Sequence, residues 1–242
     1  MADTRLNTQS GSQVQIDQGL RSYMLRVYNY MGAGLAITGA AAYGTFHAAV
    51  DAAGALTPFG NAIFVSPLKW VLILAPLALV MFLSFRIQKM SVTAAQTTFW
   101  IYAALVGVSF GSLGLIYTSG SIGQVFFITA GAFGALSLYG YTTKRDLSGL
   151  GSFLFMGLIG LIIASLVNMW FQSGMMSLVL SAVSVLIFTG LTAYDTQQIK
   201  EMYYEADDAA TVGRKAIMGA LRLYLDFINL FLSLLRLFGN RN

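Results

Sequence analysis

The chain has 242 residues, of which 57% are apolar and only 10% charged, with a mean hydropathy of +0.69. A soluble domain carries roughly 25% charged residues, so the composition excludes an ordinary globular domain, and the long apolar runs exclude the short alternating segments of a membrane barrel. The net charge of +4 comes with no basic cluster interleaved with aromatics, so no nucleic-acid footprint is present, and the lack of cysteine removes disulfide, thiol and zinc-thiolate chemistry.

The charges are segregated: none occurs over 27–50, 90–143 or 147–194. That pattern predicts an all-α membrane protein, a bundle of seven transmembrane helices. Residues 1–18 are polar and lack the basic-then-apolar pattern of a cleavable signal. The chain is therefore divided into a flexible cytoplasmic tail over 1–20 and a single seven-helix membrane domain over 21–242. The first span is expected over 27–49, and a polar connection over 50–67 follows. The second, over 68–85, carries Pro76 in its middle, where a proline frees a carbonyl and suggests a kink. Ser119, Gly120 and Ser121 divide the next block into spans over 97–117 and 122–141. A weak point over 168–174 divides the following block into spans over 151–171 and 175–199, and a charged loop over 200–215 precedes the last, over 216–238. No internal repeat supports an inverted-repeat transporter.

Orientation follows from the basic residues. With the N-terminus inside, the cytoplasmic regions hold Arg5, Arg21, Arg26, Arg86, Lys89, Lys144, Arg145, Lys200, Arg214 and Lys215. The other side holds Lys69 and Arg241, with Arg236 near the end of the last span. The alternative is a re-entrant last segment that returns the C-terminus inside. Gly107 and Gly111 form a GxxxG pair, and Gly131, Gly134, Gly157 and Gly160 are expected to add sites of close helix approach. His47 has no partner residues for a metal site, and Trp70, Trp100 and Trp170 read as interfacial anchors.

The chain is organised around its last segment, which carries Arg222, Asp226, Asn229, Ser233 and Arg236 at spacings that put all five on one side of a helix. A charge at membrane depth costs at least about 2.5 kcal/mol. This polar stripe must therefore face protein or water, and the C-terminal helix is predicted to be central, wrapped by the others. Asp195, in TAYDTQQIK, shares a helical face with Ser177, Ser181, Ser184, Thr192 and Gln198. The last two spans are consecutive and antiparallel, so Asp195 and Asp226 are expected to meet if the sixth helix continues past Asp195. Two carboxylates in a poorly hydrated place do not both ionise easily and can share a proton, which makes a pH sensor. They are also a plausible weak, transient site for Ca2+, although calcium prefers six to eight oxygens and the rest must come from water or carbonyls. The competing reading is structural: Arg222 pairs with Asp226 four residues on, and Asp195 ends its span in solvent.

TAYDTQQIK followed by LYLDFINLFLSLLRLFG resembles the Bax inhibitor-1 family, and its bacterial members in particular. The resemblance covers almost the whole chain after the tail. It implies a seven-helix bundle with a central helix and a pH-sensitive calcium leak, with the di-aspartyl sensor on Asp195 and Asp226 and a basic latch on Arg86. Arg222, Asn229 and Ser233 would support the pair. The implied setting is a bacterial inner membrane, with lipid and calcium ions as partners, no cofactor, no enzymatic activity and a monomeric state. The alternative is a non-transporting regulator that binds membrane proteases or other stress-response partners. An intramembrane aspartyl protease ranks last, because Leu-Tyr-Leu precedes Asp226 where such proteases show Gly-x-Gly.

Overall fold

A computed structural model gives the fold; it describes residues 2–242, with side chains from Gln18 onward. The expected flexible tail over 1–20 falls mainly on side chains outside the described residues. The long helices are α1 (Ala2–Ala49), α2 (Leu68–Arg86), α3 (Val92–Phe110), α4 (Ser119–Thr142), α5 (Ser148–Phe171), α6 (Gly174–Glu201) and α7 (Ala209–Phe238). Among the described residues there is no sheet, only two isolated bridges. Among the described residues six helices, α2 to α7, are long and apolar enough to cross a membrane. The structure is thus the expected helical membrane bundle, with six such helices among the described residues where the sequence predicts seven crossings.

Local chemistry sets the helix ends. Pro76 cannot donate to the carbonyl of Leu72, and the Ser109 hydroxyl of α3 donates to that carbonyl instead, at 2.9 Å. A neighbouring hydroxyl thus satisfies a group that lipid cannot. Ser119, Gly120 and Ser121 are not a loop but the first turn of α4. The break falls at Tyr117–Thr118 because the Thr118 hydroxyl caps the helix, accepting from the Ser121 amide. The turn between α5 and α6 does fall where the sequence weakens. Gln172 adopts a left-handed conformation (φ 50°), and the Asn168 side chain accepts from the Ser173 amide and donates to Ser177.

The connection before α7 is shorter than expected. Asp208 caps the helix by accepting from the Ala210 amide, so 209–215 is helical rather than loop. A hydrogen bond from the Thr211 hydroxyl, foremost among several contacts, holds the Asp208 carboxyl below the usual carboxylate range. Lys215 closes the remaining turn, donating to Asp207 at 2.5 Å and to the Met202 carbonyl at 2.8 Å.

Helix α7 is the axis of the molecule. Its most apolar window is 67% buried, against 11–33% for the other five candidate spans. It packs against α1, α3, α4 and α6, while α2 lies outside α3 and α5 outside α6. Gly213 admits Val92 at the start of α3, and Gly219 admits Ile199 of α6 and Val27 of α1. At the far end the backbone of Asn240 and Asn242 pairs with Thr118 and Ile116, in the turn between α3 and α4. An unbroken α7 therefore runs from one end of the bundle to the other.

The GxxxG pair is a true close approach. A Cβ on Gly107 would overlap the Thr38 carbonyl, and one on Gly111 would press on Thr45, both on α1. Gly131, Gly134 and Gly160 are not close approaches, because each has open space where a Cβ would stand. Small residues also suit lipid-facing surfaces, and spacing alone does not separate the two uses. Trp70 and Trp170 are exposed, as interfacial anchors would be, whereas Trp100 is half-buried against Tyr30 and Phe99.

Candidate functional site

Asp226 lies on α7 and Asp195 on α6, which stays helical past it to Glu201. Asp226 is only 4% exposed and Asp195 is half-buried. The two carboxyl groups are close enough to act on each other. The packing of α6 on α7, the most extensive in the bundle, brings them together. Asp226 Oδ2 is buried without a protein donor when both groups are ionised. A single proton shared between the carboxyls would supply that donor.

Aromatic side chains close the space around the pair. Phe99 and Tyr102 of α3 meet the ring of Tyr224 at 5.8 and 5.6 Å, and Phe126 and Phe133 of α4 meet Phe227 at 5.4 and 5.6 Å. Tyr224 and Phe227 flank Asp226 in the chain, so these contacts seal α7 at the level of the carboxyl. The Thr38 hydroxyl of α1 lies 2.9 Å from the Ala103 carbonyl and 2.7 Å from the Tyr224 hydroxyl. Its single proton goes to a carbonyl, so it accepts from Tyr224. Thr38→Val leaves the fully buried Tyr224 hydroxyl unpaired, which costs about 1–3 kcal/mol. Thermal unfolding in detergent should show a lower midpoint, and adding Tyr224→Phe should recover part of the loss.

The cations are placed differently from expectation. Arg222 is close enough to both carboxyls to act on them electrostatically, but it is exposed and makes no salt bridge with either. Among the described residues the one salt bridge is Lys215–Asp207. The simple Arg222–Asp226 ion pair is therefore not formed, and Asp195 is not left in solvent. Arg86 is exposed at the end of α2, which packs on α3. The structure does not bring Arg86 onto Asp195 in this conformation. Asn229 and Ser233 donate to carbonyls of their own helix, Leu225 and Asn229, and so satisfy themselves rather than the pair. Among the described residues no group of three or more acidic or histidine side chains forms a metal site.

Three polar features escape sequence reasoning. Tyr23 of α1 is 2% exposed, feels the charge of Arg222, and its hydroxyl has no partner. Tyr28 bonds Ser137 at 2.7 Å and Ser137 bonds Thr196 at 2.9 Å, linking α1, α4 and α6 beside Asp195. Gln197 donates to the Arg145 carbonyl and accepts from the Leu147 amide, clamping the α4–α5 connection to α6. Only the adjacence of Thr196 and Gln197 to Asp195 in the chain hinted at any of them.

The fold and this arrangement define a polytopic helical membrane protein built round a central helix whose buried Asp226 is near Asp195 of the adjoining helix. A family model described as inhibitor of apoptosis-promoting Bax1 matches residues 20–242, and the chain belongs to this Bax inhibitor-1 family. It is 49% identical to the inner membrane protein YbhL of Escherichia coli K12, over 96% of this chain and 97% of that protein. It is 45% identical to the uncharacterized protein RP147 of Rickettsia prowazekii, over 98% of each chain. It is 44% identical to an uncharacterized protein of Caulobacter vibrioides, over 94% of this chain and 92% of that one.

Proposed function

We propose that the protein is a pH-sensitive cation leak of a bacterial inner membrane, with calcium the permeant ion and Asp195 and Asp226 the gate. The observation that carries this reading is the facing of two carboxyl groups across α6 and α7 inside a membrane bundle. Buried acid pairs of this kind are costly, and structural needs would be met more cheaply by apolar packing.

The sign of the response follows from charge. An ionised pair attracts a guanidinium and keeps α6 and α7 closed around it. Arg222 acts on the pair electrostatically without forming an ion pair. Arg86 is the latch of a second state, reached if peripheral α2 swings toward α6. Protonation neutralises the pair, releases the guanidinium and loosens the seal, so acidification raises flux. At lower pH still, the lost negative charge weakens attraction of the cation and flux falls again. As it passes, the ion takes oxygens from the two carboxyls, backbone carbonyls and water.

In this reading α1 is a seventh crossing and the N-terminus is inside. Arg86, Lys89, Lys144, Arg145, Lys200, Arg214 and Lys215 all lie at connections of one end of the bundle, while Lys69 and Arg241 lie at the other. Reporter fusions at the two chain ends should then give opposite signals.

The central test is calcium flux through the purified protein in liposomes. Flux that rises on mild acidification supports the leak. No flux above empty liposomes at any pH rejects it and favours the non-transporting regulator of membrane proteases or stress-response partners.

A further inference from the structure

Helices α1 and α4 both rest on α7, yet they hardly touch each other. The hydrogen bond from Tyr28 to Ser137 bridges the seam between them. Around that bridge the seam opens into a cleft of about 570 Å3, which Tyr28 and Ser137 also line. Its walls are apolar: Met24 and Leu25 on α1, Phe133 and Leu138 on α4. Gly134 forms part of one wall and has open space where a side chain would stand. Leu25 is 52% and Leu138 62% exposed, so the cleft opens outward, toward lipid.

The mouth has a different chemistry from the walls. Arg21 and Tyr141 line it, and among the described residues no carboxylate does. Lys200 adds a second cation at Tyr141, with its ammonium 5.6 Å from the ring centroid and donating to the Tyr141 carbonyl. Arg21 also lines an adjoining recess with Arg26. The site therefore presents cations at the level of a headgroup and an apolar furrow at the level of a chain. From Arg21 to Gly32, where a second apolar cleft begins on the same seam, α1 rises about 16 Å, roughly half of a bilayer's hydrocarbon core. That is the depth one leaflet's acyl chain reaches.

We propose that the α1–α4 seam is a binding site for one anionic phospholipid, its phosphate at Arg21 and an acyl chain between Leu25 and Gly134. Basic pockets between membrane helices take such headgroups. The bound chain fills the furrow that α1 and α4 leave open and stands between the bulk bilayer and the Tyr28–Ser137–Thr196 chain of hydroxyls.

Native mass spectrometry of the purified full chain tests this, with phosphatidylglycerol and phosphatidylcholine titrated in separate series. The wild type is expected to retain one phosphatidylglycerol in preference to phosphatidylcholine. Arg21→Gln should lower phosphatidylglycerol retention about fivefold, the worth of one cation near an anionic headgroup, and leave phosphatidylcholine unchanged. Gly134→Leu should displace both lipids, because a Cβ there stands in open space on the cleft wall and the side chain takes the place of the acyl chain. Gly131→Leu, on the same helix with open space at its Cβ and outside the cleft lining, is the control and should displace neither. Equal retention in the two glycine variants, or an Arg21→Gln variant with unaltered headgroup preference, overturns the site and leaves ordinary annular lipid. Loss of a dimer in Gly134→Leu without any change in bound lipid also overturns it, and assigns the furrow to a second copy of the chain.

Discussion

Asp226→Asn is expected to make calcium flux through reconstituted protein the same at acidic and neutral pH. Asparagine keeps the shape of the side chain and can donate its amide to Asp195, so the contact between α6 and α7 survives. What disappears is the proton that came and went. Asp195→Asn should act alike, since each carboxyl is the other's partner. The two single variants should resemble the double variant, because a pair that titrates as a unit is lost when either member is lost. Asp226→Leu separates charge from contact: it removes both, and so should raise resting flux as well as flatten its pH profile. Stability gives an independent reading. Asp226→Asn removes a buried acceptor that lacks a protein donor, so the thermal midpoint should hold or rise. Flux that keeps its wild-type pH profile in both asparagine variants, with folding intact, removes the pair from the gate.

The second large effect is expected at Gly140. A Cβ there would lie inside the van der Waals envelope of the Ala193 carbonyl, where α4 crosses α6 two residues before Asp195. Backbone cannot turn aside as a side chain does, so Gly140→Leu must push the helices apart. Overpacking a core costs typically about 1–3 kcal/mol, occasionally more, and here it also breaks the bond from Ser137 to Thr196. The variant should unfold well below the wild type in detergent. If any of it is recovered, its flux should be high at neutral pH, because α6 no longer holds Asp195 against α7. Gly160→Leu is the matching control, with open space at its Cβ, and should be nearly neutral. Similar midpoints for the two variants would refute the close crossing.

Much of this architecture is legible in the sequence, for reasons of cost. A stripe of polar groups on an apolar helix leaves it no stable place but the centre, and the meeting of Asp195 with Asp226 follows from an antiparallel hairpin of consecutive helices. What was not legible depends on competition between local signals. Asp208 is a helix cap inside a stretch that reads as charged loop, so α7 starts earlier than the apolar pattern suggests. Thr118 wins over Ser119–Ser121 as the helix break because its hydroxyl reaches the Ser121 amide. Glycine spacing did not tell Gly107, pressed on α1, from Gly131, facing open space. The four-residue spacing does put Arg222 near Asp226, but the placement of Arg86 away from the pair rests on the peripheral packing of α2, which has no signature in spacing.

The central position of α7 has a consequence for biogenesis. It follows the other long helices in the chain, so it is the last of them to leave the ribosome. Until it arrives, the half-formed assembly lacks its axis, and Asp195 and Thr38 have no partner in Asp226 and Tyr224. The insertion machinery must therefore hold an unfinished shell until α7 arrives. Closure is then completed when the backbone at Asn240 and Asn242 fastens to the turn at Ile116 and Thr118, a stitch made only once synthesis has passed the final helix.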